Sequence, residues 1–160
     1  MTIRKTIVVL AKSLKHRNYC VAGKDINSKE WVRPVSDIYG AELSEQQCKC
    51  TNTKWQRDGN PPYSTKLLQK VEMNFKEHAP LPNQPENYVV KDDAVWKQQY
   101  QIKVNELATY INDPDSLWGD DDRIDYSLIE SKFVHISQSL YLIKVDDLKL
   151  YKNEHDKRRA

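Results

Sequence analysis

The clearest pattern in the chain is an alternation of apolar and polar residues between positions 67 and 76. Val71 and Phe75 belong to its apolar set, and a period of two is what a β-strand with one buried face produces. Residues 6–11 form a continuous β-branched apolar run, and residues 19–26 return to a strand pattern. We therefore predict that the amino-terminal half is built mainly of strands.

A hairpin is predicted where the second of these strands turns into a third. Residues 27–29 have turn chemistry, and residues 30–33 enter the next strand. Pro34 has no N–H for a sheet ladder, so it must end this strand or confine it to an edge. The basic residues 12–18 are predicted to form a polar connection before the hairpin.

A long amphipathic helix is predicted in the second half of the chain. Its apolar side chains recur at spacings of four, four, three and four residues, at Trp96, Tyr100, Val104, Leu107 and Ile111. Asp92 or Asp93 is available as its cap, and residues 112–114 would stop it. With a short helix over 41–49 and two late strands over 133–136 and 140–145, the predicted fold class is α+β, mainly β with inserted helices. This order of elements is compatible with a small closed barrel.

Composition excludes several functional classes. The 160 residues are 39% hydrophobic and 30% charged, with a mean hydropathy of −0.80, which fits one domain with a lean core. The four glycines are too far apart for the loops that bind dinucleotides or nucleoside triphosphates. No apolar run is long enough for a membrane span, no cleavable leader is visible, and three cysteines suit a reducing compartment. We therefore predict a cytoplasmic protein without a membrane partner.

Charge is uneven along the chain. Residues 1–36 carry eight Lys and Arg against two acidic residues, whereas residues 113–130 carry seven acidic residues against one Arg. Cations, a hydroxyl and an aromatic ring in the basic segment are the groups that contact phosphates and stack on bases. The candidate ligand-binding residues of this segment are Lys12, Ser13, Lys15, Arg17, Trp31 and Arg33. A solvated charged surface is the alternative interpretation.

A second candidate site is the string Gln84, Pro85, Glu86 and Asn87. Three hydrogen-bonding side chains surround a residue of fixed φ, an arrangement that suits the polar edge of a ligand. The same side chains commonly satisfy the backbone of a buried turn, and this alternative stays open.

Two weaker patterns involve metals. The acidic residues at positions 120–125 are nearly consecutive, and consecutive carboxylates seldom converge on one ion. Cys48 and Cys50, together with Cys20 or His16, lack the second pair of ligands expected at a zinc site. We predict no metal, no cofactor and no catalytic residue.

Short motifs follow one another along the chain in an order typical of one protein family. They are Ala11-Lys12-Ser13, Tyr19 to Gly23, Glu30 to Ser36, Gln84 to Asn87, Leu117-Trp118 with Asp122-Arg123, and Ser139 to Ile143. Across most of residues 5–148 this ordered set resembles the bacterial dual OB-containing domain family. The resemblance implies OB-like β-barrels that bind nucleic acid or nucleotides in prokaryotic conflict systems.

The resemblance also determines the predicted domains. The family has two tandem OB-like barrels, whereas this chain ends in a charged tail after the first. We expect residues 1–151 to form a single small OB-like β-barrel domain with one long inserted amphipathic helix, and residues 152–160 to form the tail. A fragment or a natural short form would account for the missing barrel.

The leading functional hypothesis is a non-enzymatic binding module for nucleic acid or a nucleotide-like phosphate ligand, in a prokaryotic defence or conflict system. The basic residues would contact phosphates, Ser13 would add a hydrogen bond, and Trp31 would stack on a base. Residues 84–87 would read a polar edge. The alternative is an interaction or regulatory module for a protein partner or a second OB-like domain, and a metal-dependent nuclease or hydrolase is a third hypothesis.

Overall fold

The computed structural model describes residues 2–92, 95–117, 119, 123–149, 151–152 and 158–159, without the side chains of residues 15, 151–152 and 158–159. Its strands are β1 (Ile3–Lys15), β2 (Asn18–Asp25), β3 (Trp31–Val35), β4 (Lys49–Thr51), β5 (Tyr63–Ser64), β6 (Gln69–His78), β7 (Asn87–Val90), β8 (Trp96–Gln101), β9 (Tyr151–Lys152) and β10 (Arg158–Arg159). Its helices are α1 (Thr53–Arg57), α2 (Tyr126–Glu130) and two 3-10 helices, Gln46–Cys48 and Val104–Tyr110.

Five strands close into a barrel. Neighbouring strands follow the order β1-β2-β3-β7-β6, and β6 pairs back with β1 to complete the circle. The β3–β7 pair is parallel and the other four pairs are antiparallel. This is the Greek-key connectivity of an OB-fold. The predicted fold class, a mainly β protein with a small OB-like barrel, is confirmed.

Three further strands extend the sheet beyond the barrel. Strand β8 pairs antiparallel with β6, β4 pairs parallel with β8, and β5 pairs antiparallel with β4. Helix α1 lies in the connection between β4 and β5. This extension builds a polar surface beside the barrel.

Two apolar clusters lie on opposite faces of β1, because successive side chains of a strand point to opposite sides. Ile7 and Val9 belong to the larger cluster inside the barrel, with residues of β2, β3, β6 and β7 and with Trp96. Val8 belongs to a smaller cluster with Ile102 and Tyr110. The chain after β8 therefore covers part of the barrel's outer face.

Gly23 of β2 packs directly against the backbone of β1. A Cβ on this residue would lie 2.1 Å from the carbonyl oxygen of Val8, so no larger side chain fits without a backbone shift. The pairing register shifts between Val9 and Ala11, at a β-bulge. Such bulges let a long strand bend as the barrel closes.

The predicted long helix is wrong. Its first part is strand β8, which forms ladders with both β6 and β4, and its second part is the 3-10 helix Val104–Tyr110. Trp96 is buried in the barrel core, and Ile111 and Val104 are exposed. The helical spacing was coincidental, because strand pairing on both sides and burial of Trp96 outweigh a local periodicity.

Several predicted boundaries are also wrong. Residues 12–15 continue β1 instead of forming a connection, and only His16 and Arg17 make the turn. Residues 41–49 contain one three-residue 3-10 helix, because Lys49 already pairs in β4.

The two late strands are also absent. Residues 133–136 and 140–145 are irregular, and the N–H of Leu142 donates to the Asn112 side chain rather than to a neighbouring strand. No helix among the described residues is both long and apolar enough to span a bilayer.

Strand β3 continues through Pro34 to Val35, although it lies between two other strands. Its pairing with β2 involves Trp31 and Val32, whereas Pro34 and Val35 pair with β7. Pro34 is therefore tolerated because β3 has already separated from β2 at that position, and the missing N–H leaves no ladder partner unsatisfied there.

Candidate nucleic-acid interface

The predicted ligand-binding residues lie in three parts of the barrel. OB-folds bind oligonucleotides with the face of their second and third strands and with the loops between strands 1 and 2 and between strands 4 and 5. In this barrel the two loops are the β1–β2 turn and residues 79–86 between β6 and β7. On the β1–β2 hairpin lie the predicted residues Lys12, Ser13, Lys15 and Arg17, and on β3 lie Trp31 and Arg33. In the second loop or directly after it lie Gln84, Glu86 and Asn87.

The hairpin residues differ in how available they are. The Lys12 ammonium donates to Ser64 Oγ at 2.6 Å and to the carbonyl of Thr65 at 2.7 Å, so it ties β1 to the segment around β5. Ser13 and Arg17 are exposed, and Arg17 lies in the turn with a φ of 68°. The Lys15 side chain is outside the described part of the structure.

Trp31 and Arg33 both contact the chain that follows the 3-10 helix Val104–Tyr110. We call its described residues, 111–117 and 123–149, the carboxyl-terminal segment. The Trp31 side chain is only 6% exposed, and its indole Nε1 donates to Asn112 Oδ1 at 3.3 Å. The Arg33 guanidinium donates to Ser139 Oγ at 3.0 Å and lies 3.2 Å from the Glu86 carboxylate. These two residues therefore hold the segment against β3.

Lys24, the residue paired with Trp31 across the β2–β3 ladder, is almost fully buried. Its ammonium lies 5.5 Å from the centre of the Trp31 ring, within range of a cation–π interaction. Desolvation by burial lowers the pKa of Lys24. Trp31 thus contacts a cation of the protein itself.

Residues 84–87 form an internal network. Gln84 Oε1 accepts a hydrogen bond of 3.1 Å from Asn87 Nδ2. The Glu86 carboxylate accepts from the Ser139 N–H at 3.2 Å and from the Ser139 hydroxyl, in addition to its ion pair with Arg33. Asn87 is fully buried, and its Oδ1 has no hydrogen-bond partner among the described residues. These contacts fix the position of the loop between β6 and β7.

A cleft of about 390 Å³ opens between this loop and β3. Its lining residues are Glu30, Trp31, His78, Pro85, Glu86, Tyr88, Ser137 and Gln138. The rings of His78 and Tyr88 are stacked, with centroids 4.5 Å apart and an interplanar angle of 28°. His78 Nε2 donates to the Pro85 carbonyl at 2.8 Å, and this bond orients the imidazole. We call this the aromatic cleft.

The aromatic cleft combines flat rings with polar groups at its edge. The Lys5 ammonium lies 4.9 Å from the centre of the Tyr88 ring. Gln138 donates through Nε2 to the Leu140 carbonyl, which leaves its Oε1 as an acceptor, and Glu30 is exposed at the rim. A planar ligand with N–H groups on one edge fits such a site.

Of the residues that line the aromatic cleft, the predicted binding set contains Trp31 and Glu86 but not His78, Tyr88 or Gln138. These three residues come from separate segments, so no motif spacing joins them. The only local signal was that Tyr88 follows the string at residues 84–87 directly. Closure of the barrel is what brings them to one cleft.

A second, larger depression of about 770 Å³ lies beside α1 and β8. Its lining residues are Thr51, Asn52, Thr53, Lys54, Gln56, Glu72, Val95, Lys97, Gln98 and Gln99. Asn52 Nδ2 donates to Gln98 Oε1 at 2.9 Å, and Asn52 Oδ1 accepts from the Trp55 N–H at 2.8 Å. We call this depression the polar groove. No motif in the sequence pointed to it.

The cysteines are free thiols. Cys48 and Cys50 are buried, and Cys20 is partly exposed. Desolvation by burial raises the pKa of Cys48 to about 12 and also raises the pKa of Cys50. Neither residue is therefore poised as a thiolate ligand or nucleophile.

This burial predicts a selective reaction with iodoacetamide. In the native protein at pH 8 we expect alkylation at Cys20 only, with Cys48 and Cys50 modified after denaturation. Mass spectrometry of tryptic peptides measures the three sites separately. Equal labelling of Cys48 and Cys20 in the folded protein would contradict the buried environment.

The described residues contain no cluster of three or more His, Cys, Asp or Glu side chains that could hold a metal ion. The carboxylate of Asp125 caps α2 by accepting from the Ser127 N–H at 2.9 Å, and this bond lowers the pKa of Asp125. Residues 120–122 of the acidic loop lie outside the described residues.

Comparison with known proteins agrees with the topology. The model of the family described as dual OB-containing domain matches residues 5–160. No curated protein matches the chain, and no solved structure does. The resemblance found from the motifs is confirmed, and this chain belongs to the dual OB-containing domain family.

Proposed function

We propose that this OB barrel is a binding module for single-stranded nucleic acid and that the aromatic cleft receives one base. The observation that carries the proposal is the stacked His78–Tyr88 pair beside the loop between β6 and β7, where OB-folds commonly bind their ligands. A base offers a flat π-surface to such rings and a polar edge to the groups around them. The volume of the cleft suits a single base.

The predicted site residues have different roles in this proposal. Ser13, Lys15 and Arg17 on the hairpin contact the sugar-phosphate backbone of nucleotides farther along the strand, because the hairpin turn lies seven residues along β2 from the residue that pairs with Trp31. Arg33 and Glu86 position the cleft wall, because their charges already pair with each other. Trp31 contributes a ring at the wall.

The remaining predicted residues shape the site from behind. Lys12 anchors the hairpin through Ser64, and Gln84 with Asn87 holds the loop. The proposal contains no catalytic step. The family resemblance supports a role in a prokaryotic defence or conflict system, and the free thiols suit the cytoplasm, so both belong to the same proposal.

A matched pair of histidine variants tests the cleft. His78→Ala is expected to weaken binding of a fluorescein-labelled single strand by about 5- to 150-fold, the equivalent of about 1–3 kcal/mol for one stacked base. Fluorescence anisotropy with mixed-sequence DNA and RNA 12-mers measures the affinity. His78 is exposed, so the variant should keep its fold.

The control is His135→Ala, which removes another exposed histidine from outside the cleft. We expect this variant to bind like the unaltered protein. Equal affinities for the two variants, or no binding of either oligonucleotide by the unaltered protein, would overturn the proposal. In that event the protein-interaction module becomes the better hypothesis.

A further inference from the structure

The polar groove carries positive charge that no described residue neutralises. Lys54 and Lys97 are exposed and form no ion pair with any described residue. Glu72, the one carboxylate among the described residues of its lining, lies 3.9 Å from the Arg4 guanidinium and is partly compensated by it. The groove is therefore suited to an anionic ligand.

Hydrogen-bonding groups supply most of the rest of its lining. Asn52, Gln98 and Tyr63 are tied together by hydrogen bonds of 2.9–3.4 Å, so this wall is fixed in place. Gln56 and Gln99 are exposed amides of the same lining. The described part of the lining contains no aromatic ring, in contrast to the aromatic cleft. Cations and amides without a stacking surface suit phosphates and sugars rather than bases.

The two sites are connected by one strand. His78 of the aromatic cleft and Glu72 of the polar groove both belong to β6. Six residues of extended chain span roughly 20 Å. A mononucleotide does not reach that far, whereas a single strand of several nucleotides does, and OB-folds occupy about 4–16 nucleotides.

We infer that the ligand is a single strand of several nucleotides, whose backbone phosphates bind Lys54 and Lys97 in the polar groove while one of its bases occupies the aromatic cleft. This inference rests on the proposed function. It assigns a phosphate-binding role to a surface outside the usual OB ligand face. It also requires that affinity depend on the length of the strand.

The experiment uses labelled oligothymidylates of 3 and 12 nucleotides and the full chain. The double variant Lys54→Ala with Lys97→Ala is expected to weaken binding of the 12-mer by about 3- to 30-fold and to leave the 3-mer unchanged. The slope of log affinity against log salt for the 12-mer should become shallower by about 1.4, the value for two lost phosphate contacts. His78→Ala should weaken both oligonucleotides.

The matched control is Lys144→Ala with Lys149→Ala, which removes two exposed ammonium groups that pair with neighbouring aspartates. It lowers the net charge equally and should leave the affinity and the salt slope unchanged. If the two double variants bind the 12-mer alike, or the unaltered protein binds the 3-mer as tightly as the 12-mer, the inference is overturned. The proposed function survives that result if His78→Ala still weakens binding, and it fails with the inference if neither oligonucleotide binds.

Discussion

Replacing Trp31 with alanine is expected to lower the free energy of unfolding by about 3–5 kcal/mol, the usual cost of removing a buried tryptophan. The indole is 6% exposed, donates to Asn112 and covers the buried ammonium of Lys24. Its loss would leave a cavity and expose the contact between β3 and the carboxyl-terminal segment. Urea denaturation followed by circular dichroism measures the change.

Trp55→Ala is the matched control for this substitution. Trp55 is 40% exposed on α1, where its ring packs edge-on against Tyr63 and its Nε1 donates to the Pro61 carbonyl. We expect Trp55→Ala to lower the free energy of unfolding by less than half as much as Trp31→Ala, because far less apolar surface is removed from the core. If Trp31→Ala were as stable as Trp55→Ala, the Trp31 ring would not contribute the expected packing to the stability of the fold.

Replacing Glu86 with alanine is expected to lower the free energy of unfolding by about 3 kcal/mol, because the substitution leaves the Arg33 guanidinium without its counter-charge. The Glu86 side chain is 4% exposed and that of Arg33 is 21% exposed, so solvent compensates the loss only in part. The Arg33 Nε is already buried without a hydrogen-bond partner among the described residues. Urea denaturation again measures the effect.

Two further variants separate the ion pair from its neighbours. Ser139→Ala removes only a hydroxyl from the same cluster and should cost about 1 kcal/mol. The double variant Arg33→Met with Glu86→Leu removes both charges and should recover much of the stability lost in Glu86→Ala. A Glu86→Ala protein as stable as Ser139→Ala would show that the pair does not hold the segment.

Trp31 and Glu86 are unsuitable for binding tests, because both side chains hold the fold together. A lost affinity in Trp31→Ala or Glu86→Ala would reflect unfolding as readily as a lost contact. His78, Lys54 and Lys97 are exposed, so their substitution changes the proposed ligand surface while the fold remains.

The sequence alone determined the elements whose signal is local. Alternation over residues 67–76 predicted the central strand β6, and the apolar run at residues 6–11 predicted the core of β1. The hairpin between β2 and β3 followed from its turn residues. These features depend on neighbours within a few positions, because side-chain alternation and turn chemistry are properties of short segments.

Several of the ordered motifs lie in strands and loops of the kind that OB-folds commonly use for binding. They did not reveal what each side chain contacts. Lys12 turns toward the Thr65 carbonyl, and Arg33 pairs with Glu86 and Ser139, partners that are 53 to 106 residues apart in the chain. Whether such a cation is free or already neutralised depends on which distant segment packs against it.

Only the tertiary structure decided the fate of residues 96–111 and the composition of both candidate sites. The spacing of Trp96 and Tyr100 fits a helix. In the fold these residues belong to strand β8, which pairs with β6 and β4, and the Trp96 indole is buried in the core. Likewise, His78 and Gln138 line one cleft because the barrel closes and the carboxyl-terminal segment folds over it. Hydrogen bonds and burial supplied by distant strands outweigh local periodicity, and a single sequence contains no direct record of those partners.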